Sequence, residues 1–184
     1  MLSFWVGECA DVGHRFAKSN GLPHYSWLLG QDARKGNKYF KWIEPGGEEL
    51  SALSDFVVRE VRNNHDVKPM HVIPVGIDTS LFKSEPHRRD IDVLGVGSLI
   101  PLKQYSLFVD AVAYLKDIFP NVRTVICGKG IEMDWLKSLA KAKGVDANIT
   151  FKGEVPHKEV LKLMQRSKIF LHPSSYEGFG AVLS

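Results

Sequence analysis

An α/β fold built on parallel sheets is the class that the sequence predicts, on the strength of three observations. Residues 92–97 and similar short runs are almost continuously apolar, as in strands buried on both faces. Segments with helical periodicity separate these runs and are long enough to cross over a sheet. Glycine or proline marks most of the junctions. A doubly wound sheet covered by helices is therefore expected.

The second half of the chain has the clearer rhythm. Strands are predicted at residues 92–97, 122–127, 148–151 and 168–171, and helices at 104–119, around 135–140, and at 156–164. In the first of these helices Leu107, Ala111, Leu115 and Ile118 form one stripe. Ligands bind at the carboxyl ends of strands in such sheets, so the loops at 97–103, 128–130, 153–156 and 172–180 should share one edge.

The first half is less regular but also alternates. Strands are predicted at residues 3–6, 25–29 and 71–74, with helices near 11–18 and 55–63. A further strand edge at residues 51–55 leads into the second helix, which Ser54 or Asp55 should cap. Residues 83–90 are polar, basic and contain proline, as a linker would. We therefore predict two domains, at residues 1–85 and 86–184.

Composition excludes several classes of protein. A net charge of +3 without a clustered patch does not predict nucleic-acid binding. Cys9 and Cys127 lie far apart, which argues against a zinc site or a disulfide framework and suits a reducing compartment. The histidines have no HxxxH or HExxH spacing, so no metal is expected. No apolar run reaches the ~20 residues of a membrane-spanning helix.

Two phosphate-binding motifs are incomplete in this sequence. Gly95 and Gly97 supply the first two glycines of GxGxxG, but Ile100 stands at the third. A P-loop around Lys129 would need glycine where Arg123 stands, and serine or threonine directly after the lysine, where the chain has glycine. What remains is a glycine-ended strand followed by Ser98 and Lys103 at a helix start, which suits a diphosphate because helix amides and an ammonium act on the same charge. The alternative is a plain surface lysine.

Residues 172–180 follow the last predicted strand and carry a different chemistry. The amides of Gly178, Phe179 and Gly180 are open to a polar ligand, and the Glu177 carboxylate precedes them. Sugar hydroxyls both donate and accept hydrogen bonds, so this combination suits a sugar. The alternative is that Glu177 caps the next helix.

Together these motifs resemble the retaining glycosyltransferases of the group 1, or family 4, type. The resemblance rests on residues 173–180 and 72–78 with Phe82, and on the order and spacing of residues 96–103, 125–130 and 151–153. It implies two Rossmann-like domains in the B-type glycosyltransferase architecture, both incomplete here. Residues 1–85 would be the C-terminal portion of the acceptor-side domain, and residues 86–184 the N-terminal portion of the donor-nucleotide-binding domain.

The resemblance also implies an activity and a set of contacts. A sugar would pass from a nucleoside-diphosphate sugar to an unknown acceptor, with retention of configuration and without a cofactor or metal. The implied contacts are Gly97, Ser98 and Lys103 for the donor diphosphate; Glu177, Gly178, Phe179 and Gly180 for the transferred sugar; and Gly128, Lys129, Gly153 and Val155 for the nucleoside-side rim. The sequence assigns no catalytic residue and no oligomeric state.

The chain departs from the family pattern at several positions. Ser98 stands where the family usually has arginine, and Gln104 where glycine commonly follows the lysine. Residues 29–32 lack the histidine that often precedes the glycine there, so no histidine role is carried over. The family's second glutamate would fall one position beyond Ser184. We therefore expect the isolated chain to be inactive.

Two other functions and one surface remain open. The main alternative is a non-catalytic Rossmann-like module that binds a nucleotide or sugar, and a dehydrogenase is disfavoured by Ile100. Cations at positions 34, 35, 38 and 41 interleave with aromatic residues at 39, 40 and 42, which suits anionic lipid, a charged acceptor or a solvated loop. The expected location is the cytoplasm, with room for peripheral contact at the cytoplasmic face of a membrane.

Overall fold

The computed structural model describes residues 1–81 and 88–183. The chain divides into two compact units, one formed by Met1–Ile77 with Glu177–Ser184 and the other by Asp78–Tyr176. The predicted boundary between residues 85 and 86, like Phe82, lies outside the described residues, and the two-domain limits stay a prediction. Each unit is described by itself below.

The first unit contains a four-stranded parallel sheet in the order β1-β2-β3-β4. Its strands are β1 (Leu2–Phe4), β2 (Tyr25–Leu28), β3 (Leu50–Ala52) and β4 (His71–Val72). Its helices are α1 (Glu8–Ser19), α2 (Tyr39–Ile43) and α3 (Asp55–His65). Ser54 caps α3, because its Oγ accepts a hydrogen bond from the Val57 amide at 3.3 Å.

The two faces of this first sheet differ in burial. On one face Leu28 and Leu50 are fully buried and pack in a cluster with Val57 of α3. On the other face, Leu2 and Phe4 of β1 are 56% and 53% exposed. The sheet therefore has one core face and one exposed apolar face.

The second unit contains a four-stranded parallel sheet in the order β7-β6-β5-β8. Its strands are β5 (Ile91–Val96), β6 (Thr124–Cys127), β7 (Ile149–Gly153) and β8 (Ser167–Phe170). Its helices are α4 (Tyr105–Ile118), α5 (Met133–Ala142) and α6 (His157–Gln165). The predicted α/β class with parallel sheets is confirmed.

Both faces of the second sheet carry a core. One face packs against α4 and α5 through a cluster that includes Ile126, Phe108 and Leu136. The other packs against α6 through a cluster that includes Leu94 and Leu163. The predicted doubly wound arrangement is present in this unit.

The predicted stripe on α4 coincides only in part with its buried face, since Leu115 packs against the core but is not at the centre of that face. Phe108 is fully buried, together with Tyr105, Val109 and Val112, whereas Leu107 and Ile118 are 51% and 54% exposed. The reason lies in β5, where a Cβ at Gly95 would stand 2.9 Å from the rings of Phe108 and Tyr105. The missing side chain lets two aromatic rings pack onto the strand, which rotates the helix away from the predicted stripe.

Three predictions for the first unit also need correction. The strand predicted at residues 3–6 ends at Phe4, since Trp5 turns the chain with a φ of 69°. The strand predicted at residues 71–74 is limited to His71–Val72. The basic and aromatic segment is not a plain loop, because it forms α2 and buries Phe40 and Ile43 in the core.

Candidate functional site

A cavity of about 420 Å³ opens at the carboxyl ends of β5, β6 and β7. Its lining brings together five of the predicted site residues, namely Gly97, Ser98, Gly128, Lys129 and Val155. The lining also includes six residues that were not among the predicted contacts: Val96, Ile100, Cys127, Gly130, Glu154 and Val160. Lys103 and Gly153 are not among the lining residues. We call this space the strand-end cavity.

Backbone contacts fix the loops around the strand-end cavity. The Gly97 amide donates to the Cys127 carbonyl at 3.0 Å, and the Gly128 amide donates to the Gly153 carbonyl at 2.7 Å. Gly128 has a φ of 142°, and a Cβ there would stand 1.8 Å from the Gly97 carbonyl oxygen. Only glycine permits this approach, so the loop after β6 is held tightly between its two neighbours.

The strand-end cavity is lined by one cationic side chain, one anionic side chain and one buried thiol. Lys129 and Glu154 form an ion pair, with side chains 74% and 65% exposed. Such an exposed pair contributes little stability, so either group can turn to a ligand at low cost. Cys127 is buried, and burial raises the pKa of its thiol. The cavity therefore offers one cation, one anion and several backbone groups.

Lys103 lies at the end of a 3₁₀ turn, Pro101–Lys103, directly before α4. The neighbouring Leu102 carbonyl accepts hydrogen bonds from the Ser175 amide and the Ser175 Oγ, both at 3.0 Å. Ser174 Oγ lies 3.4 Å from the same oxygen. The segment after β8 therefore holds the turn that carries Lys103. The sequence analysis did not predict these hydrogen bonds, because a serine side chain does not indicate a partner that is distant in sequence.

Residues from Glu177 onward belong to the first compact unit. The Gly178 carbonyl accepts a hydrogen bond from Ser54 Oγ at 2.7 Å, at the N-terminus of α3. A Cβ at Gly30, whose φ is 118°, would stand 2.7 Å from the Gly178 Cα. Glycine at both positions allows this close backbone contact. Ser54 was predicted only as a helix cap, and its bond to Gly178 was missed.

Asp32 organises the carboxyl ends of β1 and β2. Its buried carboxylate accepts hydrogen bonds from the amides of Val6 at 2.9 Å, Gly30 at 2.8 Å and Leu29 at 3.1 Å. Burial raises the pKa of Asp32, and these hydrogen bonds oppose that rise. In the segment 29–32, which differs from the family pattern, Asp32 thus stabilises the loops that follow β1 and β2.

The described residues show neither a metal-binding cluster nor a membrane-spanning helix. Residues 1–81 and 88–183 contain no group of three or more histidine, cysteine, aspartate or glutamate side chains suited to hold a metal ion. No helix in those ranges is both long enough and apolar enough to span a membrane. The expectation of metal-free function stays a prediction.

Comparison with protein families decides the affiliation of the chain. Residues 77–184 match the profile described as glycosyl transferases group 1, which is more than half of the chain. The chain belongs to this family. Its match to the family includes the strand-end cavity and the Lys103 turn, so the resemblance predicted from the motifs is confirmed.

Individual family members are longer than this chain. A glycogen synthase of Mycobacterium tuberculosis is 27% identical over 164 residues, covering 86% of this chain and 40% of that protein. The phosphatidylinositol N-acetylglucosaminyltransferase gpi3 subunit of Schizosaccharomyces pombe is 30% identical over 130 residues, covering 69% of this chain and 28% of that protein. The chain thus spans less than half the length of these curated relatives.

Solved structures show the same fold. TarM of S. aureus has a TM-score of 0.77 at 18% identity, covering 99% of this chain and 37% of that one. The pneumococcal O-GlcNAc transferase GtfA, solved with UDP and GlcNAc, has a TM-score of 0.75 at 19% identity, covering 99% and 39%. These likenesses confirm the predicted B-type class of two Rossmann-like domains.

Proposed function

We propose that the protein transfers a sugar from a nucleoside-diphosphate sugar to an acceptor, with retention of anomeric configuration. The observation that carries the proposal is the strand-end cavity, which the family match includes. Ligands of open α/β sheets bind at this edge. The names of the matched relatives, a glycogen synthase and an N-acetylglucosaminyltransferase subunit, support the same reaction class.

The proposed roles follow from charge and geometry. The strand-end cavity would take the nucleoside, with Gly128 allowing close approach and with Lys129, Glu154 or both meeting its polar edge. Lys103, before the first turn of α4, would meet the diphosphate, where ammonium and helix amides act on the same negative charge. That arrangement would stabilise the leaving diphosphate electrostatically and without a metal. Glu177 and Gly178–Gly180 remain the proposed contacts of the transferred sugar.

We also propose that the protein works in the cytoplasm, with peripheral contact at the cytoplasmic face of a membrane. Cys9 and Cys127 are both free thiols, which suits a reducing compartment. The partners of the proposal are a nucleotide sugar and an acceptor, and no nucleic acid. The surface that could contact a membrane is considered in the next subsection.

Calorimetric titration of the 184-residue chain tests the proposal directly. Uridine, guanosine and adenosine diphosphates are compared with NAD, and we expect at least one nucleoside diphosphate to bind more tightly than NAD. Gly128→Ala should abolish that binding, since its Cβ would collide with Gly97. Gly76→Ala is the matched control, because a Cβ there meets nothing within 4 Å.

Each outcome of the titration has a clear meaning. Preferential NAD binding, or equal binding by the Gly128→Ala variant in folded form, would overturn the proposed donor site. Nucleotide binding by a longer form of the protein that neither transfers nor hydrolyses any nucleotide sugar would favour the non-catalytic binding module.

A further inference from the structure

A basic and aromatic surface on the first unit has no role in the proposed reaction. We call it the α2 patch and define it as Lys35, Lys38, Lys41 and Trp42. All four side chains are exposed, and the Trp42 indole is 54% exposed although it is large and apolar. The indole and the three ammonium groups thus share one exposed surface.

The core fixes which side of α2 faces outward. Phe40 and Ile43 are each only 5% exposed and belong to the core of the first unit. The Phe40 ring also stacks on His65, with ring centroids 3.9 Å apart and planes at 7°. Because these contacts hold the inner side, Lys38, Lys41 and Trp42 are presented together on the outer side.

Within the α2 patch, charge and aromatic surface are combined. Lys38 Nζ lies 4.6 Å from the centroid of the Trp42 ring and 5.4 Å from that of Tyr39, both within cation–π range. The rings of Tyr39 and Trp42 meet edge to face at 5.2 Å. The ammonium group and the indole are therefore held side by side on a short, anchored helix.

The charges of the α2 patch are not neutralised by its own segment. Residues 33–44 carry four cationic side chains and a single carboxylate, Glu44. Over the described ranges no ion pair is formed by Lys35 or Lys41. On neighbouring α1, Asp11 is paired with Arg15, which reduces its competition for the patch lysines. Glu8 of α1 also faces α2 at Tyr39, so the segment's four cations stand against two carboxylates, Glu8 and Glu44, and the local surface keeps a net positive charge.

We propose that the α2 patch docks the protein on an anionic phospholipid surface. Lysines near such a surface each strengthen binding by about fivefold, and tryptophan favours the headgroup level, where its ring is half in hydrocarbon and half in water. The patch supplies both on one rigid element. A soluble anion would use the ammonium groups but would not explain the exposed indole. This inference does not depend on the proposed transferase activity.

Vesicle co-sedimentation of the 184-residue chain tests the docking surface. Vesicles of 30% phosphatidylserine in phosphatidylcholine should bind the protein, and pure phosphatidylcholine vesicles should bind it at least tenfold less. Lys35→Ala/Lys38→Ala/Lys41→Ala should lower binding to the anionic vesicles by at least tenfold. Trp42→Ala should lower it several-fold at unchanged charge, and Trp42→Phe should lower it less.

A second triple variant controls for total charge. Lys137, Lys141 and Lys158 are exposed lysines of the second unit, and Lys137→Ala/Lys141→Ala/Lys158→Ala removes the same charge. This control should retain most of the vesicle binding. The proposal would be overturned if both triple variants lost vesicle binding equally, or if the unmodified chain did not bind anionic vesicles. It would also be overturned if the chain bound free glycerol 3-phosphate as tightly as it binds anionic vesicles. Circular dichroism confirms that every variant is folded.

Discussion

The two parallel sheets of this protein differ in how many of their faces are buried. The sheet of the second unit is covered on both faces, by α4 and α5 on one and α6 on the other. The sheet of the first unit buries Leu28 and Leu50 on one face but exposes Leu2 and Phe4 on the other. The difference follows from strand order, because right-handed crossovers in the sequential order β1-β2-β3-β4 all pass over one face, whereas the order β7-β6-β5-β8 reverses direction and places helices on both faces. It predicts that the second unit resists unfolding better.

The largest expected effect is on the free energy of unfolding, when a phenylalanine of each unit is replaced by alanine. Phe108→Ala should cost about 3–5 kcal/mol of unfolding free energy, since the ring is fully buried, whereas Phe4→Ala should cost less than about 1 kcal/mol. Urea unfolding followed by tryptophan fluorescence measures both. Trp135 is the only tryptophan of the second unit, so Trp135→Phe provides a background that reports on the first unit alone.

This comparison would break if the two substitutions cost the same. A large loss for Phe4→Ala would mean that the exposed face is covered in solution, by a second copy of the chain or by another molecule. Sedimentation velocity at several protein concentrations would then identify self-association.

The second prediction concerns the ligand side of the second unit. Lys103→Ala should weaken nucleoside diphosphate binding by about 1–3 kcal/mol if a charge-assisted contact is lost, while the fold survives. Ser174→Ala/Ser175→Ala should weaken it by about 1 kcal/mol or less, because the Leu102 carbonyl keeps its bond to the Ser175 amide. Calorimetry measures both. Unchanged affinity in a folded Lys103→Ala variant would reduce Lys103 to a surface lysine.

A third prediction compares strained backbone in the two units. Gln104 and Glu44 both have a left-handed backbone, with φ of 50° and 48°. Gln104→Gly and Glu44→Gly should each stabilise their unit by about 0.5–1 kcal/mol, because glycine removes the strain at some cost in unfolded-chain entropy. Gly76→Ala, at a position without that strain, is the reference for a change in glycine content. A lower unfolding free energy for either variant would contradict the prediction.

The smallest effect is a difference in pH response. Hydrogen bonds from Arg166 lower the pKa of Asp90 to about 2, so this pair stabilises the second unit above pH 3.8 and the contribution is lost as pH falls toward 2. Burial raises the pKa of Asp32, so its contribution to the first unit has the opposite sign: it is present below pH 3.8 and is lost as pH rises through the raised pKa.

Acid unfolding of two variants separates these contributions. Asp90→Asn should flatten the pH dependence of the second unit between pH 3.8 and about 2, and Asp32→Asn should flatten that of the first unit above pH 3.8. If Asp90→Asn leaves the acid limb unchanged, the exposed pair contributes nothing measurable.

Sequence patterns predicted this fold well wherever burial is continuous. The central strands β5 and β6 of the second unit are buried on both faces, so their apolar runs and bounding glycines located them within a few residues. The stripe of α4 was only partly right, because the rotation of the helix depends on the space that Gly95 leaves for Phe108 and Tyr105, and this contact cannot be read from the helix sequence. Helix α2 was missed because only Phe40 and Ile43 mark its inner side among the surrounding lysines.

The candidate site was predictable to a similar extent. Glycines at strand ends pointed to Gly97 and Gly128, since close backbone approach leaves a mark in the sequence. Glu154 and Cys127 were not singled out, because a carboxylate or thiol after a strand carries no such mark. The binding roles of Lys103 and Glu177 still rest on the motifs alone.

The acceptance of two hydrogen bonds from Ser175 by the Leu102 carbonyl has a consequence for the order of folding. Ser174 and Ser175 lie 72 and 73 residues further along the chain, beyond β8. Contacts of such long sequence separation form late, since closing the intervening loop costs entropy before any bond is gained. During synthesis on the ribosome, the turn before α4 therefore acquires its final geometry only after β8 has emerged and joined the sheet.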